Sequence, residues 1–487
     1  MRTAASIRRT KIVATLGPAT DNLDRLVALI QAGANVMRIN MSHGPHEEHR
    51  KRIHLVHEAA KKLNKPIGII ADLQGPKIRV CSFRSKEVML TPGQKFCLST
   101  VIGENDGDQH GVALDYPQLI HDLKVGDTLL LNDGRIELKV ERVTPTDADT
   151  KVIVGGILSN HKGINRKGGG LSAPPLTDKD IEDIAFLATQ DVDYIALSFV
   201  KTVQDIALLR RILLEHNMGD MRVISKIETI EAIKNLEEII EASDAVMVAR
   251  GDLGVELGFA ELPALQKEII FKARQRDKTV ITATQMMESM IHEPVPTRAE
   301  VSDVANAALD GTDAVMLSAE SAVGQYPVET VKALNDICLA AERQKVEYLS
   351  RERVFAHFDR VDESIAMASM YLSNKMNLKA ILALSESGST PLWMSRIRSS
   401  VPIYALCRHA RVRRIMSLFR GVHPIDFDVT QCKPWEVSLG AIGHLYKLGL
   451  IAEGDRVLLT KGDIMGVYGG ANTLKIITLD AEYISKL

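Results

Sequence analysis

Eight short apolar runs recur along the first two thirds of the chain. They are Lys11–Gly17, Val36–Ser42, Ile67–Leu73, Tyr194–Val200, Arg222–Glu228, Ala245–Leu253, Thr279–Gln285 and Ala314–Glu320. Most are apolar almost throughout instead of alternating, which suits parallel strands covered on both faces. Amphipathic helix patterns such as Leu23–Ala32, Lys179–Thr189 and Ile230–Ala242 lie between them. Eight β/α units predict a TIM (β/α)8 barrel, with a doubly wound open sheet as the alternative. Six of the seven gaps between run starts are about 23 to 35 residues, the length of one such unit. The gap from Ile67 to Tyr194 exceeds this by roughly a hundred residues and predicts an inserted domain.

Inside the insertion, Val88–Leu90, Thr128–Leu131, Glu137–Val140 and Val152–Val154 read as short strands. Turn signals separate them at Pro92-Gly93, Gly126-Asp127 and Asp133-Gly134. A small β-barrel is expected, joined by two crossings and placed to act as a lid. Its return through Lys167-Gly168-Gly169-Gly170 reads as a flexible joint. Beyond Glu320 the pattern changes to a long helix at Pro327–Lys345 and an irregular polar stretch at Arg351–Arg360. Strand-like runs at Ala380–Leu384, Ile403–Leu406, Arg456–Leu459 and Lys475–Leu479 predict a C-terminal α/β domain. The expected boundaries are 1–72 with 169–349 for the barrel, 73–168 for the lid and 350–487 for the last domain.

Composition narrows the partners. At 487 residues the chain has room for several domains, and 45% hydrophobic residues supply their cores. A formal net charge of −2 gives no reason to expect nucleic acid or an anionic membrane. The five cysteines, Cys81, Cys97, Cys338, Cys407 and Cys432, are widely spaced and form no CxxC. That argues against a disulfide framework and fits a reducing compartment. No apolar run approaches the length of a membrane span, so a soluble cytoplasmic protein is expected.

The chemistry concentrates where the strand patterns end. Ser225-Lys226-Ile227-Glu228 and Ala249-Arg250-Gly251-Asp252-Leu253-Gly254 each pair a basic and an acidic residue two apart. Positions i and i+2 of an extended chain share a face, so both pairs are expected to point into one site for a divalent metal and a phosphate. In a TIM barrel that site lies at the C-terminal strand ends. Those ends read Arg38, Asn40, Asp72, Lys226, Glu228, Arg250, Asp252, Thr284, Ser318 and Glu320. Glu228 and Asp252 are hard oxygen donors suited to Mg²⁺, with Mn²⁺ as a substitute. Lys226 and Arg38 can neutralise phosphoryl oxygens. Walker-A and GxGxxG patterns in a βαβ context are missing. The histidines at 43, 46, 49, 54 and 57 are interleaved with charges and read as a solvated helix, apart from His43 at its strand end.

These residues resemble the pyruvate kinase family along nearly the whole chain. The resemblance rests on Met37-Arg38-Ile39-Asn40-Met41-Ser42-His43-Gly44, on the two segments above and on Ile281-Thr282-Ala283-Thr284-Gln285-Met286-Met287-Glu288-Ser289-Met290. It continues into Pro296-Thr297-Arg298-Ala299-Glu300 and Asp303-Val304-Ala305-Asn306. It implies transfer of a phosphoryl group from phosphoenolpyruvate to ADP, giving pyruvate and ATP. By resemblance, Arg38 and Lys226 handle the phosphoryl group, and Glu228 and Asp252 hold Mg²⁺. Gly251, Asp252 and Thr284 meet the substrate carboxylate, and Thr284 and Ser318 assist enolate protonation. Arg79, Lys162 and His43 resemble nucleotide contacts.

Asn40, Ser42, Asp72 and Leu73 correspond to the family's K⁺ region, yet Lys77 stands where many members carry glutamate. Its ammonium is expected to replace the monovalent ion and remove the need for K⁺. Ser385-Glu386-Ser387-Gly388-Ser389-Thr390 resembles the family's effector loop. Ser385, Ser387, Gly388, Ser389 and Thr390 are therefore expected to bind a sugar phosphate or nucleotide activator. A homotetramer is implied. Two other readings stay open at this point: a Mg²⁺-dependent TIM-barrel lyase or aldolase on a pyruvate-like enolate, and a non-catalytic metabolite-sensing scaffold.

Overall fold

The computed structural model describes residues 7–344, 357–464 and 468–487. Eight parallel strands close into a barrel. They are β1 (Lys11–Thr15), β2 (Val36–Asn40), β3 (Gly68–Asp72), β4 (Tyr194–Leu197), β5 (Arg222–Ile227), β6 (Ala245–Ala249), β7 (Thr279–Ala283) and β8 (Ala314–Leu317). Each lies within one of the eight apolar runs, and β8 closes on β1 with Lys11 opposite Ala314. The near-continuous apolar character has a direct cause. In β1, Ile12 and Ala14 pack into the helical shell while Val13 faces the barrel interior, and in β3 Ile69 and Ala71 alternate with Ile70 in the same way. Both faces are dry, so neither can be polar.

The helices between strands follow from local chemistry as well as from burial. Leu23–Ala32 starts where the Asn22 side chain accepts the Arg25 N–H at 2.9 Å and ends at Gly33, whose φ is 127°. It buries Leu26, Leu29 and Ile30. A cap of this kind is worth about 1 kcal/mol.

The inserted segment has its own apolar core, which includes Phe83, Phe96, Leu129 and Leu138. Its described strands hydrogen-bond as a six-stranded mixed sheet and a two-stranded ribbon, where the sequence suggests a small barrel. All four predicted strands are present; Lys95–Ser99, Gly111–Ala113, Gly156–Ser159 and Ile164–Arg166 are additional. At the return joint, Gly168, Gly169 and Gly170 have φ of 92°, 73° and 85°, values that side chains rarely tolerate.

The predicted helix after the barrel is present as Pro327–Glu342; Lys345 and most of Arg351–Arg360 lie outside the described residues. The C-terminal domain is a five-stranded sheet, four strands parallel and the last antiparallel. Its edge strand, Val422–Asp426, is absent from the sequence reading because His423 and Pro424 interrupt the apolar pattern. Proline is tolerated at an edge, where one side of the backbone has no partner strand.

This domain packs against the strand starts. Lys11 Nζ donates to the Val422 carbonyl, and Tyr194 Oη donates to the Ile415 carbonyl at 2.8 Å. Asp193 and Asp313, each just before a strand, pair with Arg414 and Arg396. The C-terminal domain therefore plugs the N-terminal end of the barrel. The opposite mouth is left to the inserted domain.

Candidate active site

The strand ends converge on one buried carboxylate. Asp72 closes β3 and is 1% exposed. Its Oδ2 accepts from Arg38 Nε at 2.6 Å, and its Oδ1 lies 3.4 Å from Lys226 Nζ. Arg38 also donates to Thr15 Oγ1 at 3.1 Å. Lys226 pairs with Glu228 Oε1 at 3.0 Å and donates to Ser198 Oγ at 2.8 Å. Ser198 in turn donates to the Leu73 carbonyl at 2.7 Å. Burial alone would raise the Asp72 pKa, but Lys226 and Arg38 outweigh it and hold the carboxylate below its usual range. Burial would likewise lower the Lys226 pKa, yet Asp72 and Glu228 overcome it and raise it. The two carboxylates thus favour the ammonium form of Lys226.

Glu228 behaves differently. Its carboxyl is pushed up, first by burial and also by neighbouring Asp252, although Lys226 and the Phe199 N–H at 2.7 Å favour the anion. Phe199 holds that position with a φ of 53°, uncommon for an aromatic residue. Strain of this sort gathers at functional sites.

Arg250 and Asp252 do not share a face. The run predicted to be extended through Leu253 is strand only to Ala249, and Arg250–Leu257 is helix. Helical residues two apart point in different directions. Arg250 turns away to Asp303, at 2.8 and 2.7 Å, and to the Thr284 carbonyl at 2.6 Å. It ties loops together, while Asp252 meets Lys77. Glu320 is also diverted: it accepts the backbone N–H of Ser318 at 2.6 Å and of Met287 at 3.2 Å. Ser318 is thereby held half-buried at the end of β8.

Thr284 has a φ of 66°, and Gln285 follows at 54°. The Thr284 hydroxyl accepts the Gly251 N–H at 2.9 Å and donates to the Ala283 carbonyl at 2.7 Å. A β-carbon on Gly251 would meet the Thr284 side chain at 3.7 Å, an ordinary contact. The protein's own packing does not demand glycine there.

Lys77 pairs across the mouth with Asp252. Asn40 Oδ1 accepts the Ser42 N–H at 3.2 Å, and the Asp72 carbonyl accepts the Met41 N–H at 2.9 Å. The Lys77 ammonium sits on Asp252 Oδ1 at 2.8 Å. The crossing into the lid sets this placement. Gly75, at φ 67°, passes so close to Ser198 that a β-carbon would come within 2.7 Å of its Cβ. The tight turn carries the following residues across the mouth.

Arg79 and Lys162 lie on facing lid segments, bridged through Arg79 and Gly163, with the Val80 N–H donating to the Lys162 carbonyl at 2.9 Å. Arg79 Nη1 is held by the His161 carbonyl at 3.0 Å. Partial burial, and then the charges of Arg79 and Arg38, lower the His43 pKa. The neighbouring helix is less solvated than its sequence suggests. His49 is 1% exposed, His46 pairs with Asp183 at 2.7 Å, and Arg52 pairs with Asp21 at 2.6 Å.

In the C-terminal sheet, the serine loop borders a pocket with Arg408 and Gly470 on its wall. The Gly388 N–H is held by Ser385 Oγ at 2.9 Å, and the Ser387 and Ser389 hydroxyls meet at 2.9 Å. Glu386 points to Arg408 at 3.0 Å and His409 at 2.7 Å.

Comparison with known proteins places the chain in a family. The family model described as pyruvate kinase, barrel domain, matches residues 7–331, and that described as pyruvate kinase, alpha/beta domain, matches residues 363–477. The chain belongs to the pyruvate kinase family. A pyruvate kinase of Buchnera aphidicola is 49% identical over 475 residues, 97% of this chain and 98% of the relative. Pyruvate kinase II of Salmonella typhimurium is 49% identical over 479 residues, covering 97% and 99%. A pyruvate kinase of Haemophilus influenzae is 48% identical over 460 residues, covering 94% and 96%. The lyase and scaffold readings have no support among such relatives.

Two side chains that hydrogen-bond into this cluster were missed in the sequence. Ser198 ends a run of apolar residues, and a lone serine there carries no pattern. Thr15 sits within an apolar strand and reads as one of its β-branched positions. Among the described residues, no helix is long and apolar enough to cross a membrane.

Proposed function

We propose that this mouth transfers the phosphoryl group of phosphoenolpyruvate to ADP, giving pyruvate and ATP. The observation that carries the reading is the cluster on Asp72, where Arg38 and Lys226 are aimed by one buried carboxylate. Phosphoryl transfer needs mainly positioning and charge neutralisation, and a preorganised guanidinium and ammonium supply both. The residues also suit Mg²⁺. Glu228 and Asp252 are close enough to repel, and each holds an ammonium, from Lys226 and Lys77. Mg²⁺ commonly takes one or two carboxylates and completes its shell with water and substrate oxygens. When bound, it would neutralise phosphoryl and enolate oxygens.

Arg38 and Lys226 bind and orient the phosphoryl group. The Gly251 N–H and the Thr284 hydroxyl receive the substrate carboxylate, exchanging their mutual bond for bonds to it. Thr284 and Ser318 hold the water that protonates the enolate. Arg79, Lys162 and His43 meet the nucleotide phosphates as the lid closes. Lys77 supplies the monovalent positive charge, so K⁺ is not required. The 385–390 loop binds a sugar phosphate or nucleotide that activates a homotetramer in the cytoplasm.

A coupled assay tests the core of this reading: ADP-dependent pyruvate formation from phosphoenolpyruvate with Mg²⁺. Turnover is expected in K⁺-free buffer. No ADP-dependent turnover under any salt would overturn the function, and turnover only with K⁺ would overturn the role of Lys77. Ser387→Glu is expected to abolish effector activation without changing basal rate; an unchanged response would remove the loop from regulation. Light scattering reads the tetramer.

A further inference from the structure

The sequence aims Arg250 at a metal and a phosphate, and the fold aims it at backbone. Arg250 opens the helix that follows β6 and is 7% exposed. Its Nη1 meets both Asp303 oxygens, at 2.8 and 2.7 Å, and Gln266 Oε1 at 3.4 Å. Its Nε donates to the Ala283 carbonyl at 3.2 Å, and its Nη2 to the Thr284 carbonyl at 2.6 Å. One part of the fork is paired with a carboxylate, and the rest grips two successive carbonyls.

Those carbonyls belong to the peptides on either side of the Thr284 Cα. Each peptide is planar, so the orientation of the first fixes φ at Thr284 and that of the second fixes ψ. The backbone gripped in this way is strained. Thr284 and Gln285 stand consecutively at φ 66° and 54°. A left-handed conformation is uncommon for a residue with a β-carbon and an outlier for a β-branched one. Such residues persist where the surroundings over-determine them. The Thr284 hydroxyl adds bonds of its own, to the Ala283 carbonyl at 2.7 Å and from the Gly251 N–H at 2.9 Å. The second of these is given up when a substrate carboxylate arrives. The Arg250 bonds end on carbonyl oxygens, which a carboxylate cannot hydrogen-bond, so they survive that exchange. A lysine has no planar fork with which to span a carboxylate and two carbonyls at once.

We propose that Arg250, anchored by Asp303, is a positioning residue: it holds Thr284 in the left-handed conformation that presents its hydroxyl, beside the Gly251 N–H, to the substrate. It touches no reacting atom. The inference rests on the role proposed above for Thr284.

The test is a double-mutant cycle in the full chain, with kcat and both KM values read by coupled pyruvate formation. Arg250→Lys keeps the buried positive charge. It is expected to lower kcat about tenfold and to raise KM for phosphoenolpyruvate while KM for ADP stays unchanged. On a Thr284→Ala background the same change is expected to cost less than about twofold in kcat, because the hydroxyl it positions has gone. Asp303→Asn is a milder release of the same guanidinium and guards against misfolding. It is expected to show the same pattern at about threefold. Losses that multiply in full on Thr284→Ala, or that raise both KM values alike, would overturn the proposal, as would an unaltered kcat in both single variants. Thr284→Ala with an unaltered kcat would instead remove the reading of Thr284, and this inference with it.

Discussion

Replacing Lys77 with methionine removes one ammonium from the mouth and keeps most of the side chain's length. The lost contact is the 2.8 Å ion pair with Asp252, whose partners are 23% and 22% exposed. Two unit charges at that distance attract by about 6 kcal/mol at an effective dielectric of 20. Solvent access and the cost of holding a lysine still reduce this steeply, so a net ~1–2 kcal/mol is the reasonable figure. A divalent cation entering the substrate-free protein must displace that ammonium from Asp252 and then stand beside it. Lys77→Met removes both penalties. Mn²⁺ is therefore expected to bind the free variant about 5- to 30-fold more tightly, at 1.4 kcal/mol per tenfold. Electron paramagnetic resonance of unbound Mn²⁺, titrated without substrate or nucleotide, reads this directly. The same variant is expected to lose most of its turnover in K⁺-free buffer, because the internal positive charge has gone. Mn²⁺ binding that is unchanged or weaker would refute the competition between Lys77 and the metal, whatever happened to turnover.

Three further outcomes follow from the same geometry. Ser198→Ala leaves Lys226 with its two carboxylates but without the hydroxyl that links it to the Leu73 carbonyl. A loss of about tenfold in kcat with little change in KM is expected, and an unaltered kcat would show that Ser198 does not position the ammonium. Thr284→Ala should lower kcat by about 10²-fold while Thr284→Ser keeps most of it, since the hydroxyl and not the methyl is used; equal losses would point to backbone strain at φ 66° instead. Lys11 is buried beneath the barrel, and burial first, then Arg8, brings its pKa down to about 7. The unfolded chain restores roughly 10.4, so between pH 7 and 10.4 the unfolded state holds the extra proton and stability rises with pH. Lys11→Met should raise the apparent urea midpoint at pH 6, with the advantage shrinking by pH 9; a constant difference across that range would remove the ammonium as its cause.

Sequence alone determined the eight parallel strands, because a strand dry on both faces has to be apolar throughout. The eight runs each contain an observed strand for that reason. It also determined which strands end in charge, and Arg38, Asp72, Lys226 and Glu228 meet at one mouth as their positions require. Local pattern failed where a chain changed course. Nothing in Ala249-Arg250-Gly251-Asp252 announces that the strand stops at Ala249, so Arg250 and Asp252 looked alike while the helix sends one to Asp303 and the other to Lys77.

Only tertiary structure decided which partner each charge would take. Glu320 serves backbone N–H groups, Ser198 joins Lys226, and Lys77 crosses from the lid turn to Asp252. The plug of the barrel base by the C-terminal domain belongs to the same class. Asp193, Asp313, Arg396 and Arg414 lie far apart along the chain and reveal nothing of their pairing until two domains meet. The physical reason is range. Burial and hydrogen-bonding periodicity act over a few neighbouring residues and leave their mark in the sequence, whereas ion pairing acts between whichever groups the fold brings within about 4 Å.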